Sequence, residues 1–535
     1  MRTVPVLSAT RAAALIDDGA MVTVSASSGL SCPDKVLRAI GERFAETGSP
    51  RDLVAVHPIA AGDMYGIGGM DHLARPGLLR RVIAGSYPSG PSSSTAPRIW
   101  QMIEADEVEA YNLPSGVLFQ MHRSGAVGQP GVLTQVGLGT FVDPRQSGGR
   151  MNSKTVDDIV EVCNWHDHEW LFFPALVPEV AIIRATTADE RGNLTFEEEG
   201  SPLGALDQAY AAHNNGGRVI AQVKRLAEAG SLHPQQVRVP GILVDAVVID
   251  PEQWQTTQTP YDPAISGQIR QPMGEVETIA LSVEKVIARR AAAELRDRDV
   301  INLGFGISAL VPLVLREEGA AEQVTWVIEQ GAVGGLPLTG FAFGCSVNPE
   351  AILPSVDQFT LLQGGGFDRA ILSFLEVDQH GNVNVHHLPG RRHVTAGVGG
   401  FADITARARE IVFAGHFTAG RRDISVDDGK LVVRQDGRVA KLVPAASAIT
   451  FSGRRALEQG QHVLYVTERC VLELRAEGLT VTELAPGVDL DQDVLARAGF
   501  PLRVARDLRT MDARIFRSSP MGLQLAAANA RGERR

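Results

Sequence analysis

A segment near the amino terminus, RAAALIDDGAMVTVSASSGLSCP (residues 11–33), recurs as RAAAELRDRDVINLGFGISALVP (290–312), 279 residues further along the chain. Both copies begin Arg-Ala-Ala-Ala, continue into a short apolar stretch, cross a Gly/Ser-rich turn and reach a proline that opens an apolar helical pattern. Each copy predicts a helix, a strand, a small-residue loop and a second helix. This self-similarity indicates that one structural unit is present twice.

A second pair of segments, VAIIRATTADERGNLTFEEEG (180–200) and RAILSFLEVDQHGNVNVHHLPG (369–390), matches at an offset of 189. An aspartate followed by a Gly-Asn pair coincides in the two segments. Because the offset falls from 279 to 189, the first copy holds about 90 additional residues, which must lie within 34–179.

Apolar runs typical of buried strands alternate with helical patterns along both copies. Examples of the former are VTWVIE (324–329), FTLL (359–362) and AILSFLEV (370–377), and SALVPLVLREEG (308–319) is an example of the latter. This alternation is typical of a mainly parallel sheet with helices on both faces. The predicted fold class is therefore α/β, with two homologous open domains and an active site in the cleft between them.

The expected organisation follows from the repeat and from local composition. The segment that separates the copies is polar and rich in Pro, Gln and Thr, and the chain ends in AAANARGERR, which reads as a frayed tail. The predicted units are a first domain at 1–250, a linker at 251–275, a second domain at 276–520 and a tail at 521–535.

Composition excludes several classes of protein. The 535 residues are 44% hydrophobic and 21% charged, as in ordinary globular proteins. A formal net charge of −11 argues against a nucleic-acid or anionic-membrane binder, and no stretch approaches the ~20 apolar residues of a membrane span. The four cysteines are widely spaced and form no CxxC pair, so the expected location is the cytoplasm.

The strongest candidate for chemistry is Glu329, within VTWVIEQGAVGG (324–335). It ends an apolar strand and enters a loop with glycines at 331, 334 and 335, which permit positive φ and close approach of a substrate. A carboxylate at the end of a buried strand is costly to desolvate unless it is paired or reactive. The spacing alone is equally compatible with a glutamate that only caps a turn.

This segment resembles the active-site glutamate motif of family I CoA-transferases. Further resemblances follow in the family's order: EAYNLPSGVLFQMHR with PGVLTQVGLGTFVDPR (109–145), LLQGGGFDRAILSFLEVDQHGNVNV (361–385) and TAGVGGFADI (395–404). The resemblance spans about residues 10–480, and it is to the form in which the two half-subunits are fused.

The resemblance implies a ping-pong transfer of CoA between short-chain carboxylic acids of the acetate, propionate or 3-oxoacid type. Glu329 would attack the thioester and carry a glutamyl-CoA thioester. The N–H of Gly400, with Gly399 beside it, would stabilise the oxyanion. Ser115 stands where the family often has Gln, in a turn completed by Gly116, so Ser115 and Gly116 are the predicted substrate-side contacts.

The implied ligands are an acyl-CoA and a carboxylate, with no tightly bound cofactor, no metal and no macromolecular partner beyond a homo-oligomer, dimer or tetramer. Glycine turns could meet the anionic CoA through main-chain N–H groups. The CoA-binding candidates are Gly364, Gly365, Gly366, Gly381, Asn382 and Asn384. Lys224-Arg225 and Arg391-Arg392 are candidate cations, although ordinary surface charge explains such pairs better than direct contact does.

Two other functions remain open from the sequence. An acyl-CoA hydrolase on the same scaffold would use water to resolve the intermediate, and a related fold also serves non-catalytic ligand-sensing domains. NWHDHEW (164–170) could in principle offer metal ligands, but histidines two residues apart also suit an exposed hairpin. GIGGM (66–70) does not complete a dinucleotide-binding motif.

Overall fold

Two ten-stranded sheets organise the chain, one built from residues 6–249 and the other from residues 300–510. The computed structural model describes residues 3–63, 66–88, 96–274, 278–388, 397–427 and 429–528. Helices cover the sheets, and the apolar side chains of both form the buried core. The α/β fold class predicted from the sequence is confirmed.

The described elements of the N-terminal half are the strands β1 (Val6–Leu7), β2 (Met21–Val24), β3 (Leu53–His57), β4 (Leu79–Ala84), β5 (Glu109–Asn112), β6 (Gly131–Thr134), β7 (Glu161–Trp165), β8 (His168–Pro174), β9 (Val180–Asp189), β10 (Leu194–Thr195), β11 (Arg218–Ala227), β12 (Val237–Val239) and β13 (Ala246–Ile249), and the helices α1 (Ala9–Ala13), α2 (Asp34–Thr47), α3 (Arg98–Glu104), α4 (Ser115–Ala126) and α5 (Ala205–His213).

The described elements of the C-terminal half are the strands β14 (Val300–Leu303), β15 (Thr325–Val327), β16 (Ala332–Val333), β17 (Leu336–Pro337), β18 (Ser346–Val347), β19 (Ala351–Ile352), β20 (Arg369–Ser373), β21 (Glu376–Asp378), β22 (Val383–Asn384), β23 (Glu410–Ala414), β24 (Thr418–Ala419), β25 (Asp423–Asp427), β26 (Lys430–Gln435), β27 (Val439–Ala440), β28 (Leu442–Val443), β29 (His462–Val466), β30 (Cys470–Arg475), β31 (Gly478–Leu484) and β32 (Arg503–Thr510), and the helices α6 (Val283–Ala292), α7 (Val311–Glu317), α8 (Ser355–Gln363), α9 (Phe401–Thr405) and α10 (Gly453–Glu458).

The strand order displays the internal repeat. The first sheet contains the run β13-β11-β9-β2-β3 and the second contains β29-β23-β20-β14-β15, and every neighbouring pair in both runs is parallel. β2 and β14 are the strands of the two repeated segments. Their registers also agree, because Met21 pairs with Val54 on β3 and Val300 pairs with Thr325 on β15.

The second sequence match is a turn that is built identically in both halves. Asp189 accepts hydrogen bonds from the main-chain N–H groups two and four residues later, and Asn193 Nδ2 donates to Asp189 Oδ2 at 2.9 Å. Asp378 and Asn382 repeat each of these bonds, again with 2.9 Å between Asn382 Nδ2 and Asp378 Oδ2. The matched aspartates therefore fix the backbone of a hairpin turn.

The additional residues of the first copy extend its sheet and form a small separate one. β4 and β5 continue the first sheet beyond β3, and β6, β8 and β7 make a three-stranded antiparallel sheet. NWHDHEW lies on the hairpin between β7 and β8, where Trp165 pairs with His168. The expectation of a strand at FTLL is wrong, because Phe359 and its neighbours belong to α8. Periodicity cannot separate a buried helix from a buried strand in so short an apolar run.

The segment expected to be a linker is packed between the halves. Thr256, Ala264 and Ile265 are buried, and Asn348 N donates to Ala264 O at 2.9 Å. We propose that the division near residues 251–275 marks the boundary between two domains.

The first part of the predicted tail is held by hydrogen bonds to the rest of the C-terminal half. Met521 N and Leu523 N donate to the Glu318 carboxylate at 2.8 and 3.0 Å, and Asp297 N donates to Ala526 O at 2.8 Å. Residues 529–535 lie outside the described residues. Among the helices described, none is both long and apolar enough to cross a membrane.

We expect Asp189→Ala and Asp378→Ala to destabilise the protein to a similar degree, because each removes three hydrogen bonds from an equivalent turn. The expected cost is about 1–3 kcal/mol for each variant, measured as a lowered midpoint of thermal unfolding. Asp423→Ala, at an acid on β25 that is 57% exposed, serves as the control. A midpoint unchanged in either turn variant would contradict the assignment.

Candidate active site

Glu329 lies just beyond the carboxyl end of β15, at the edge where open α/β sheets bind ligands. The chain turns sharply there, with Gly331 N donating to Ile328 O at 2.9 Å. Gly331, Gly334 and Gly335 have φ values of +128°, +70° and +70°, so the predicted need for positive φ at these positions is confirmed.

Two donors hold the Glu329 carboxylate. Gln330 Nε2 lies 3.3 Å from Glu329 Oε1, and the main-chain N–H of Gly400 lies close enough to the same carboxylate to lower its pKa. A methyl group on residue 400 would clash with Glu329 Oε2, so the approach requires glycine. Glu329 is partly exposed, which leaves it open to a substrate.

Gly400 is placed by a clasp between the two halves of the chain. Gly399 N donates to Gly85 O at 2.8 Å, and Ser115 N donates to Gly399 O at 3.0 Å. Val398 N donates to Asn112 Oδ1 at 2.9 Å. These partners lie at or just beyond the carboxyl ends of β4 and β5, so the first sheet fixes a loop that serves a glutamate of the second.

A second carboxylate, that of Asp403, lies one helical turn beyond Gly400. It is fully buried, and it accepts hydrogen bonds from Gly116 N at 3.0 Å and from Gln363 Nε2 at 2.7 Å. The negative charge of Asp403 raises the cost of ionising Glu329, because like charges repel.

The electrostatics of the pair follow from this burial. Burial, and then the negative charge of Asp403, raise the pKa of Glu329 to about 7, while the bonds from Gly400 and Gln330 act in the opposite direction. Burial raises the pKa of Asp403 to about 7 against its own hydrogen bonds. Raised carboxyl pKa values of this kind are typical of active sites.

The predicted site residues around Glu329 come together, but three of them serve the clasp. Ser115 Oγ donates to Pro58 O at 2.6 Å, and Gly116 N is bound by Asp403. The N–H of Gly399 is likewise taken by Gly85 O. The expected role of these three groups as direct substrate or oxyanion donors is therefore not supported by their contacts, whereas Gly400 N–H points at the reacting carboxylate.

The predicted CoA-binding glycines at 364–366 lie apart from Glu329. They connect the end of α8 to the amino end of β20, which runs parallel to β14 and β15, so they occupy the opposite edge of the sheet. A role in binding CoA gains no support from this position.

Gly381, Asn382 and Asn384 belong to the hairpin of β21 and β22. Asn382 completes the turn described above, and Asn384 Nδ2 donates to Glu376 Oε2 at 2.7 Å. Their contact with CoA stays a prediction.

The candidate cations divide into two groups. Lys224 and Arg225 form ion pairs with Glu198 at 2.7 and 2.6 Å, as expected of ordinary surface charge. Arg391-Arg392 lie outside the described residues.

Asp403, Gln330, Asn112 and Gln363 contribute to the site and were missed by the sequence reasoning. Asp403 and Gln330 lie inside segments already quoted for their glycines and glutamate. Asn112 ends β5, and sites gather at the carboxyl ends of strands. Predicting a strand at this position would therefore have pointed to Asn112. Gln363 gives no such signal, since it directly follows FTLL (359–362), which the sequence predicted as a strand rather than as part of α8.

Similarity to known proteins agrees with this geometry. The chain is 42% identical over 527 residues to the acetate CoA-transferase YdiF of Escherichia coli K12, with 98% of this chain and 97% of that protein aligned. The chain belongs to the coenzyme A transferase family. It is a family I CoA-transferase in the fused form, as the sequence motifs indicated, and the family model described as coenzyme A transferase matches residues 6–250.

Other relatives extend the comparison. The caffeate CoA-transferase of Acetobacterium woodii is 40% identical over 522 residues, which cover 97% of this chain and 98% of that protein. The crystal structure of the YdiF apoenzyme from Escherichia coli O157:H7 superposes with a TM-score of 0.91 at 40% identity, covering 98% of both chains. A structure of the same enzyme, described as a thioester complex with CoA, superposes with a TM-score of 0.90.

Gly400→Ala should abolish most of the activity, because the added methyl group displaces the Glu329 carboxylate. We expect kcat/KM to fall by about 100-fold or more, the scale on which a misplaced reacting group acts. Gly274→Ala is the control, since its methyl group meets no atom within 4 Å. Wild-type kcat/KM in Gly400→Ala would contradict the site.

Ser115→Ala separates a structural role from a catalytic one. Because the Ser115 hydroxyl donates to Pro58 O, its removal should lower the free energy of unfolding by about 1–3 kcal/mol. The value of kcat should change only a few-fold. Thermal unfolding and steady-state kinetics measure the two effects. A loss of kcat by two orders of magnitude with unchanged stability would restore Ser115 as a substrate donor.

Proposed function

We propose that this chain moves CoA between short-chain carboxylic acids by a ping-pong mechanism, with Glu329 as the nucleophile. The observation that carries the proposal is the Glu329 carboxylate, which stands partly exposed at the carboxyl edge of the sheet with the N–H of Gly400 directed at it. A pKa near 7 makes it a stronger nucleophile than an ordinary carboxylate, and it is still substantially ionised at neutral pH.

The proposed transfer passes through an anhydride and a thioester of Glu329. A Glu329 oxygen attacks the thioester carbonyl of the acyl-CoA, and the tetrahedral intermediate expels CoA thiolate to leave an acyl-glutamyl anhydride. The thiolate attacks the glutamyl carbonyl, which releases the first carboxylate and leaves a glutamyl-CoA thioester. The acceptor carboxylate then repeats the two steps in reverse, and Glu329 returns as a carboxylate.

Gly400 N–H is the proposed donor to the oxyanion. In the protein without substrate this N–H donates to the Glu329 carboxylate. When that carboxylate becomes an acyl group or thioester, the donor is already aligned beside the reacting carbon. A preformed donor of this kind is worth about 3–4 kcal/mol of transition-state stabilisation.

The class of acid is proposed as short-chain, of the acetate, propionate or 3-oxoacid type. The 42% identical relative is described as an acetate CoA-transferase, which supports an acid of this class. We further propose a cytoplasmic location and a homo-oligomeric assembly, dimer or tetramer. Cys32, Cys345 and Cys470 are buried free thiols, which suits a reducing compartment.

The test is covalent trapping at Glu329. Wild-type protein incubated with acetyl-CoA should gain the mass of CoA, and the adduct should map to Glu329 after proteolysis. Glu329→Gln should gain no mass and lose exchange with propionate by about 10³-fold or more. Glu322→Gln, at an exposed acid on the approach to β15, is the matched control.

Two results would contradict the proposal. Full exchange activity in Glu329→Gln would remove the residue from the mechanism. Release of free CoA at the same rate with and without an acceptor acid would instead indicate a hydrolase.

A further inference from the structure

Asp403 is an unusual group to find beside a carboxylate nucleophile. Its side chain is fully buried, and the donors that face it are neutral: the N–H groups of Gly116 and Val117 at the start of α4, and the Gln363 amide from α8. Buried carboxylates are normally paired with a cation. These contacts keep Asp403 in place without cancelling its charge through a salt bridge.

The glycines beside Asp403 and Glu329 both lie close to one apolar side chain, that of Phe359. A methyl group on Gly116 would lie 2.7 Å from Asp403 Oδ1 and 2.8 Å from Phe359 Cδ1. One on Gly400 would clash with Glu329 Oε2 and lie 2.7 Å from Phe359 Cε1. The Phe359 ring thus adjoins both carboxylate-binding glycines, and little solvent can screen the charges there.

The polar groups that surround the pair come from three elements. α4 supplies N–H groups and Gln120, whose Nε2 donates to Gln363 Oε1 at 2.5 Å. α8 supplies Gln363, and the loop after β15 supplies Gln330. Each of these groups is neutral, so among the residues that the structure describes the strongest charge acting on Glu329 is that of Asp403.

We propose that Asp403 is a positioning residue whose negative charge destabilises the free Glu329 carboxylate and thereby favours the neutral covalent forms of the enzyme. The inference rests on the proposed function, because it concerns the anhydride and thioester of Glu329. When the thioester forms, the negative charge leaves with the released acid, and the repulsion ends. Asp403 therefore raises the free energy of the free enzyme and does not raise that of the anhydride or the thioester.

The test compares Asp403→Asn, which keeps the shape of the side chain and removes its charge, with Gln363→Met, which keeps the charge and removes the hydrogen bond to Asp403 together with the one from Gln120. Gln363→Met should act in the same direction and more weakly, because Asp403 is then more readily protonated. It also supplies a second variant should Asp403→Asn fold poorly. Asp357→Asn, at a half-exposed acid on α8, is the control.

The first readout does not depend on catalysis. Labelling of Glu329 by a water-soluble carbodiimide and an amine is followed against pH by peptide mapping, with an exposed carboxyl group in the same digest as reference. The midpoint should lie near pH 7 in the wild type, as the pKa of Glu329 indicates, and about one pH unit lower in Asp403→Asn. The sign follows because removal of a like charge makes ionisation easier.

The second readout is the ratio of glutamyl-CoA thioester to free enzyme at a fixed ratio of acetyl-CoA to acetate, measured by intact mass. At a pH well above the pKa of about 7 of Asp403, where its carboxylate is charged, the ratio should fall by about tenfold in Asp403→Asn, the factor that corresponds to one pH unit. Midpoints and ratios equal to the wild type in both variants would overturn the inference. A shifted midpoint without any thioester in the wild type would instead refute the proposed function and leave the coupling of the two carboxylates standing.

Discussion

Hydrogen bonds between the two halves of the chain decide the geometry of the site. Gly399, Val398 and Asp403 belong to the C-terminal half, and their partners lie at the carboxyl ends of β4 and β5 and at the start of α4. Because this clasp fixes the loop that carries Gly400 beside Glu329, the arrangement of these two residues depends on both sheets. The glycines tolerate the close approach, which any side chain would obstruct.

The groups around the clasp also show how two carboxylates are held close together in this acidic chain. Main-chain N–H groups and side-chain amides contact the two carboxylates, and these donors stabilise charge without neutralising it as a lysine or arginine would. A cation at this point would lower the pKa of Glu329 and weaken it as a nucleophile. The neutral donors therefore leave the pKa of Glu329 raised.

The sequence predicted the parts of the structure that repeat. The duplicated segments gave the α/β class and the equivalence of β2 with β14, and the strand-loop pattern located Glu329 at a carboxyl edge. Glycine positions were less informative, because a glycine that ends α8 and a glycine that admits a carboxylate look alike in a sequence. The roles of Ser115 and Gly116 depend on contacts with residues 58 and 403, and separations of that length leave no local signal.

The other unpredicted features have the same origin. The segment 251–274 is polar and rich in Pro, Gln and Thr, and residues 521–526 lead into a stretch of small and polar residues, as is typical of linkers and tails. Each is held by tertiary bonds to a distant element, such as those from Met521 and Leu523 to Glu318. Composition describes what a segment prefers in isolation, and here the surrounding fold overrides it.

The matched registers of β3 and β15 carry a final consequence. Counted along the two strands, Pro58 of the N-terminal half stands where Glu329 stands in the C-terminal half. The pseudosymmetric position thus presents a carbonyl that anchors Ser115, whereas its counterpart presents the nucleophile. The two halves of the repeat therefore differ in chemistry at matched positions, with a main-chain carbonyl in one and a carboxylate in the other.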